Sequence, residues 1–115
     1  MAESAELLSV LSSPRRCEIL RLVWVDERSA GDIHRAMPDV SFAAVSQQLR
    51  LLSVRGLVSV RAAGRHRFYQ ADRDLLAPLA ALLEDMWDDA LWRLKLAAEL
   101  EGARRGPRPR KRRRR

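Results

Sequence analysis

Ser41-Phe42-Ala43-Ala44-Val45-Ser46-Gln47-Gln48-Leu49-Arg50-Leu51-Leu52-Ser53-Val54-Arg55-Gly56 divides its side chains between two faces of a helix. Val45, Leu49 and Leu52 recur at intervals of four and three, which places them in one row aimed at a core. Ser41 supplies an N-cap and Gly56 the permissive backbone that ends a helix, so the spacing predicts a helix from about Phe42 to Val54. Phe42, Ala43, Ser46, Gln47 and Arg50 fall on the other side. Small Ala and Ser let a helix approach the floor of a DNA major groove. Gln can pair with the acceptor and donor of adenine, and Arg with guanine or a phosphate. Any amphipathic helix has a solvated face, so the segments around this one must decide between the two readings.

Upstream, Ser29 can cap a short helix through about Ala36, with Ile33 and Met37 turned inward, and Pro38-Asp39 ends it. Two short helices about a brief turn form a helix-turn-helix outline. Ser13 and Pro14 start another helix running to about Trp24, with Cys17 and Leu20 on its apolar face. Before it, Leu7, Leu8 and Leu11 mark the edge of a first helix.

Downstream, Leu57-Val58-Ser59-Val60 and His66-Arg67-Phe68-Tyr69 flank Ala63-Gly64, the pattern of a β-hairpin. This wing carries Arg61, Arg65, His66 and Arg67, and no acidic residue lies between Arg55 and Ala71. Such a hairpin can follow phosphates or enter a minor groove. Asp72 or Asp74 then opens a long helix whose apolar residues exceed one stripe. Leu75, Leu76, Leu79, Leu82, Leu83, Met86, Trp87, Leu91, Trp92, Leu94 and Leu96 are more than one small subunit can cover, so this helix and the first are expected to pack against a second copy. The expected fold is mostly α with a small β-hairpin, a dimeric winged helix-turn-helix of order α-α-α-α-β-β-α.

Length and charge agree with one domain. The 115 residues suffice for one core, and 47% of them are hydrophobic. The net charge of +7 is unevenly spread: nine of the 22 basic residues and none of the 15 acidic ones lie in 103–115, which leaves 13 cations against 15 acids, net −2, in residues 1–102. DNA affinity of the folded part must then come from cations focused on one surface. Residues 1–102 are read as the DNA-binding and dimerisation domain, and 103–115 as a disordered Arg-rich tail able to add sequence-independent affinity. A single cysteine, an acidic N-terminus without a secretory pattern and no apolar run of membrane-spanning length suggest a cytoplasmic protein.

The order of these segments resembles the ArsR (ArsR/SmtB) transcriptional repressors across roughly residues 4–101. The resemblance is carried by Ser13-Pro14-Arg15-Arg16-Cys17-Glu18-Ile19-Leu20, Val45-Ser46-Gln47-Gln48-Leu49-Arg50-Leu51-Leu52, Gly56-Leu57-Val58, Gly64-Arg65 and Phe68-Tyr69. It implies a homodimer joined by its first and last helices, bound to a palindromic operator in double-stranded DNA and released by an inducer. Three departures stand out. Ser29 and Gly31 occupy the positions of the Cys-x-Cys pair through which many family members sense metals, and no His follows His66 in the last helix. The chain therefore resembles the branch without a recognised metal site, and neither metal nor cofactor is expected. Gln48 stands where the family often has His, which should alter one backbone or phosphate contact. The Pro38-Asp39-Val40 turn is slightly longer than usual.

The expected DNA-contacting set is Ser41, Phe42, Ala43, Ser46, Gln47, Gln48, Arg50, Arg61, Arg65, His66 and Arg67; the expected dimer set is Leu7, Leu8, Leu11, Leu79, Leu82, Leu83, Met86 and Trp87. Cys17 reads as inert packing, and a small-molecule or protein effector stays open. The competing reading is a protein-protein interaction module whose tail alone touches nucleic acid. An enzyme is disfavoured, since no nucleophile with a partner base and no phosphate-cradling Gly loop is present.

Overall fold

The computed structural model describes residues 4–105. Three successive helices each begin where a serine can satisfy an orphan amide. Ser13 precedes α2 (Pro14–Leu22) and accepts from the Arg16 amide at 3.3 Å, with Pro14 in the first turn where its missing N–H costs nothing. Ser29 caps α3 (Ala30–Ala36) through the Asp32 amide at 3.1 Å, and Ser41 caps α4 (Phe42–Val54) through the Ala44 amide at 3.0 Å. The first helix, α1, spans Ser4–Leu11.

The end of α4 is a Schellman motif. Gly56 has φ 78°, the Leu57 amide donates to the Leu52 carbonyl at 2.9 Å, and the Gly56 amide donates to Ser53 at 3.0 Å. Leu52 and Leu57 are both buried, which supplies the apolar contact that accompanies this cap and turns the chain into the wing. The wing pairs β2 (Val58–Ala63) with β3 (His66–Ala71), antiparallel, around Gly64-Arg65. Gly64 has φ 61° and, among the described residues, only Gly56 shares a positive φ, so Arg65 does not, the pattern of a type II′ hairpin.

Two elements differ from the sequence expectation. The polar turn after α2 contains a two-residue strand, β1 (Arg28–Ser29), whose pairing with Tyr69 and Phe68 makes a three-stranded sheet of order β1-β3-β2. The expected single last helix is two, α5 (Ala77–Asp88) and α6 (Ala90–Arg105), so α6 reaches three residues into the segment read as tail. Asp89 has extended geometry, φ −84° and ψ 129°, and its carboxylate accepts from the Leu91 amide at 2.9 Å. A short acidic side chain that bonds to its own backbone competes with a continuous helix, and here it wins. Asp72 does cap, through the Leu75 amide at 3.1 Å, but it opens a turn before α5 rather than the helix itself.

One core joins the elements: Val10 of α1, Cys17 and Leu20 of α2, Ile33 of α3, Val45, Leu49 and Leu52 of α4, Leu79 and Leu83 of α5 and Trp92 of α6. Trp24 meets Trp87 edge to face with ring centroids 5.2 Å apart, and its indole N–H donates to Glu84 at 3.0 Å. The Cys17 thiol lies against the Val10 carbonyl at 3.3 Å, and burial pushes its pKa up to about 11. Among the described residues no helix is long and apolar enough to cross a membrane.

Candidate nucleic-acid interface

The faces of α4 separate as the spacing predicts. Val45 and Leu49 are 0% exposed and Leu52 is 1%, whereas Phe42 is 50% exposed and Ala43, Gln47 and Arg50 are open to solvent. Ser46 and Gln48 are half-buried on opposite flanks of that ridge. Phe42 is steadied edge to face by His34 of α3, with centroids 5.7 Å apart. Ser41 is exposed, but its hydroxyl oxygen is already used by the cap. The Gln48 carbonyl oxygen also has a partner, the Arg16 Nε–H at 3.0 Å.

The wing is less uniformly cationic in space than in sequence. Glu27, just before β1, accepts from Arg61 Nε at 3.1 Å and from its terminal Nη2 at 2.7 Å. This hydrogen-bonded pairing holds the Glu27 carboxyl below the usual carboxylate range and raises the Arg61 pKa. Arg61 also lies over the Phe68 ring, 4.8 Å from its centroid. Its charge is therefore answered within the subunit. Arg65, His66 and Arg67 are exposed. Pairing of Arg61 with Phe68, Ala62 with Arg67 and Ala63 with His66 puts Arg61 and His66 on one face of the hairpin and Arg67 on the other, with Arg65 at the turn. The hairpin presents cations around its tip, not along a single side.

Sequence reading passed over Arg16. It stands in the first turn of α2 beside Arg15, with no acidic residue there, although the helix dipole disfavours cations at that end. That unfavourable placement is the signal that could have marked it.

The residues expected at a dimer contact divide into two groups. Leu79 and Leu83, at 5% and 0% exposure, belong to the subunit's own core. Both lie in the one core cluster that also holds Trp24 and Trp92, and α6 packs against α2 and α5. Leu8 and Leu82 are 57% and 56% exposed, while Leu7, Met86 and Trp87 are half-buried. The Leu11 side chain lies outside the described residues. Leu91 and Leu94 of α6 are exposed at 64% and 67%. Ser29, at the position of a family metal ligand, is occupied as a cap, and among the described residues no group of three or more His, Cys, Asp or Glu side chains is arranged to hold a metal ion.

Known proteins share this arrangement. No family model matches the chain. A solved ArsR-like transcriptional regulator from Rhodococcus sp. RHA1 is 33% identical, with a TM-score of 0.59 over 83% of this chain and 89% of that one. The chain belongs to the ArsR family. A second ArsR-family relative, the homodimeric winged helix-turn-helix DNA-binding domain of a possible transcriptional regulator from Mycobacterium bovis, is 30% identical, with a TM-score of 0.61 over 76% of this chain and 80% of that one. An HTH-type transcriptional regulator of Mycobacterium tuberculosis, Rv2034, is 43% identical over 63 residues, which are 55% of this chain and 58% of that protein's length. In ArsR-family terms α3 and α4 form the helix-turn-helix and β2-β3 the wing.

Proposed function

We propose that this ArsR-family chain is a homodimeric, sequence-specific DNA-binding repressor that recognises an inverted-repeat operator. One observation carries the reading: α4 is packed by Val45, Leu49 and Leu52 and leaves Ala43, Gln47 and Arg50 in solvent, on a 13-residue helix. At 1.5 Å per residue that helix is roughly 20 Å long, and a major groove about 12 Å wide admits it. Gln47 is the side chain assigned to base edges, and Ala43, one helical turn before it, is small enough to let the backbone come close. Arg50 and the wing cations Arg65 and Arg67 are assigned to phosphates or groove edges.

The homodimer follows from apolar surface that one subunit leaves uncovered at Leu8, Leu82, Leu91 and Leu94, and from the homodimeric state of the M. bovis relative. A two-fold axis would set two copies of α4 in successive major grooves, roughly 34–36 Å apart. The test is selection of genomic DNA fragments by the purified chain, followed by sequencing. Enrichment of an inverted repeat with half-sites one helical turn apart supports the reading. Capture without sequence preference, abolished by deletion of residues 103–115, would favour the tail as the sole nucleic-acid contact and the winged helix as a protein-binding module.

A further inference from the structure

We propose that Arg16 holds an operator phosphate and that Gln48 is the side chain that positions it, not a reader of bases. This rests on the reading that the exposed side of α4 meets DNA. Arg16 and Gln48 are 32 residues apart in sequence, and the fold brings the Arg16 Nε–H to 3.0 Å from the Gln48 carbonyl oxygen. Reading adenine requires both the oxygen and the nitrogen of a Gln amide. The Gln48 oxygen is already engaged in a half-buried contact, so base reading would have to break it.

The pair differs from most of the other arginine contacts in one respect, Arg28 on the neutral Leu22 carbonyl being an exception. Arg15 lies 3.7 Å from Glu99, Arg21 is bonded twice to Glu18, and Arg61 is bonded twice to Glu27. Each of those guanidinium groups faces a carboxylate. Among the described residues Arg16 is held by a neutral amide, which fixes its orientation and leaves its charge uncancelled. A guanidinium has five N–H donors in a planar fork. With Nε committed, the four donors on the terminal nitrogens are available, and two of them match two oxygens of one phosphate.

Position and charge agree. Gln48 occupies the flank of α4 next to the Ala43, Gln47 and Arg50 ridge, so Arg16 stands beside the groove-facing surface, where a DNA backbone would run. A cation in the first turn of α2 is opposed by the helix dipole, and a bound phosphate at that end reverses the sign of the local interaction.

Binding of fluorescent duplexes tests the assignment, using one duplex selected from genomic fragments by the wild-type chain and one shuffled duplex. Affinities are measured between about 50 and 200 mM salt for wild type, Arg16→Gln, Gln48→Ala and Gln48→Glu. Arg16→Gln should lower the slope of log affinity against log salt by about one unit per half-site and leave the ratio between duplexes unchanged. Gln48→Ala keeps the charge, so most of the slope should remain while affinity falls. Gln48→Glu keeps and strengthens the tie to Arg16 but cancels its charge, so it should lose the same slope as Arg16→Gln without losing thermal stability. A purely structural tie predicts the reverse for Gln48→Glu, with binding and slope at the wild-type level, and that result overturns the proposal. A wild-type chain that holds shuffled and selected duplexes equally would instead contradict the functional reading itself.

Discussion

Leu49→Ala tests which face of α4 is inside. Leu49 is 0% exposed and sits between Val45 and Leu52 in the row that joins α4 to the core. Burying a leucine contributes about 1.5–3 kcal/mol by transfer from water, and the cavity left by truncation raises the usual Leu→Ala cost to about 2–5 kcal/mol. A domain of this size is stable by about 5–15 kcal/mol, so the loss is a large fraction of the whole. Gln47→Ala, two residues away on the exposed side, should change stability by no more than about 0.5 kcal/mol. Urea unfolding followed by circular dichroism measures both, with equal slopes confirming that the midpoints report stability. At low temperature, where enough Leu49→Ala protein stays folded, its preference among DNA sequences should match wild type because the outer face is untouched. A Leu49→Ala cost below about 1 kcal/mol, or a larger cost for Gln47→Ala, would mean the helix is turned differently, and the assignment of its outer face would fall with it.

Further expectations concern the turn, the wing, the thiol and the subunit contact. Gly56→Ala should cost about 1–2 kcal/mol in urea unfolding, because φ is 78° while an added Cβ would meet only Leu75 Cδ1 at an ordinary 3.8 Å; the penalty is backbone strain, and Gly56→Asn should cost less. Glu27→Gln releases Arg61 from its carboxylate, and equilibrium binding should show tighter, more salt-dependent association with DNA of any sequence. Cys17 should resist alkylation in native protein at pH 8 and react once urea exposes it. Its pKa is higher folded than unfolded, so the neutral thiol's contribution is fully present below the unfolded value and is lost as pH climbs toward about 11; unfolding midpoints across that range check the sign. Leu82→Glu combined with Leu94→Glu places charge on the exposed apolar surface, and sedimentation velocity should show monomers where wild type gives dimers.

Helices α2, α3 and α4 were legible because their signals are local. Ser13, Ser29, Ser41 and Gly56 each act within three or four residues, and Val45, Leu49 and Leu52 mark a face by spacing alone. What stayed hidden depends on contacts distant in sequence. A two-residue strand such as Arg28–Ser29 has no period, and its partners are Tyr69 and Phe68. Glu27 neutralises Arg61 from 34 residues away, so an acid-free stretch of sequence became a partly neutralised wing. The break at Asp89 was masked because apolar residues continue on both sides of it, and the burial of Leu79 and Leu83 within the subunit depends on packing that spacing along one helix does not reveal. Arg16 and Gln48 were each visible, but their pairing exists only in three dimensions.

The central claim is that the open side of α4 touches base edges. The ratio of affinities for the selected and shuffled duplexes, compared between wild type and Gln47→Ala at one salt concentration, tests it most directly. A bidentate Gln–adenine pair contributes about 1–3 kcal/mol of discrimination, so the ratio should fall by roughly 5- to 150-fold per half-site while affinity for shuffled DNA holds. A ratio equal to that of wild type would contradict the account.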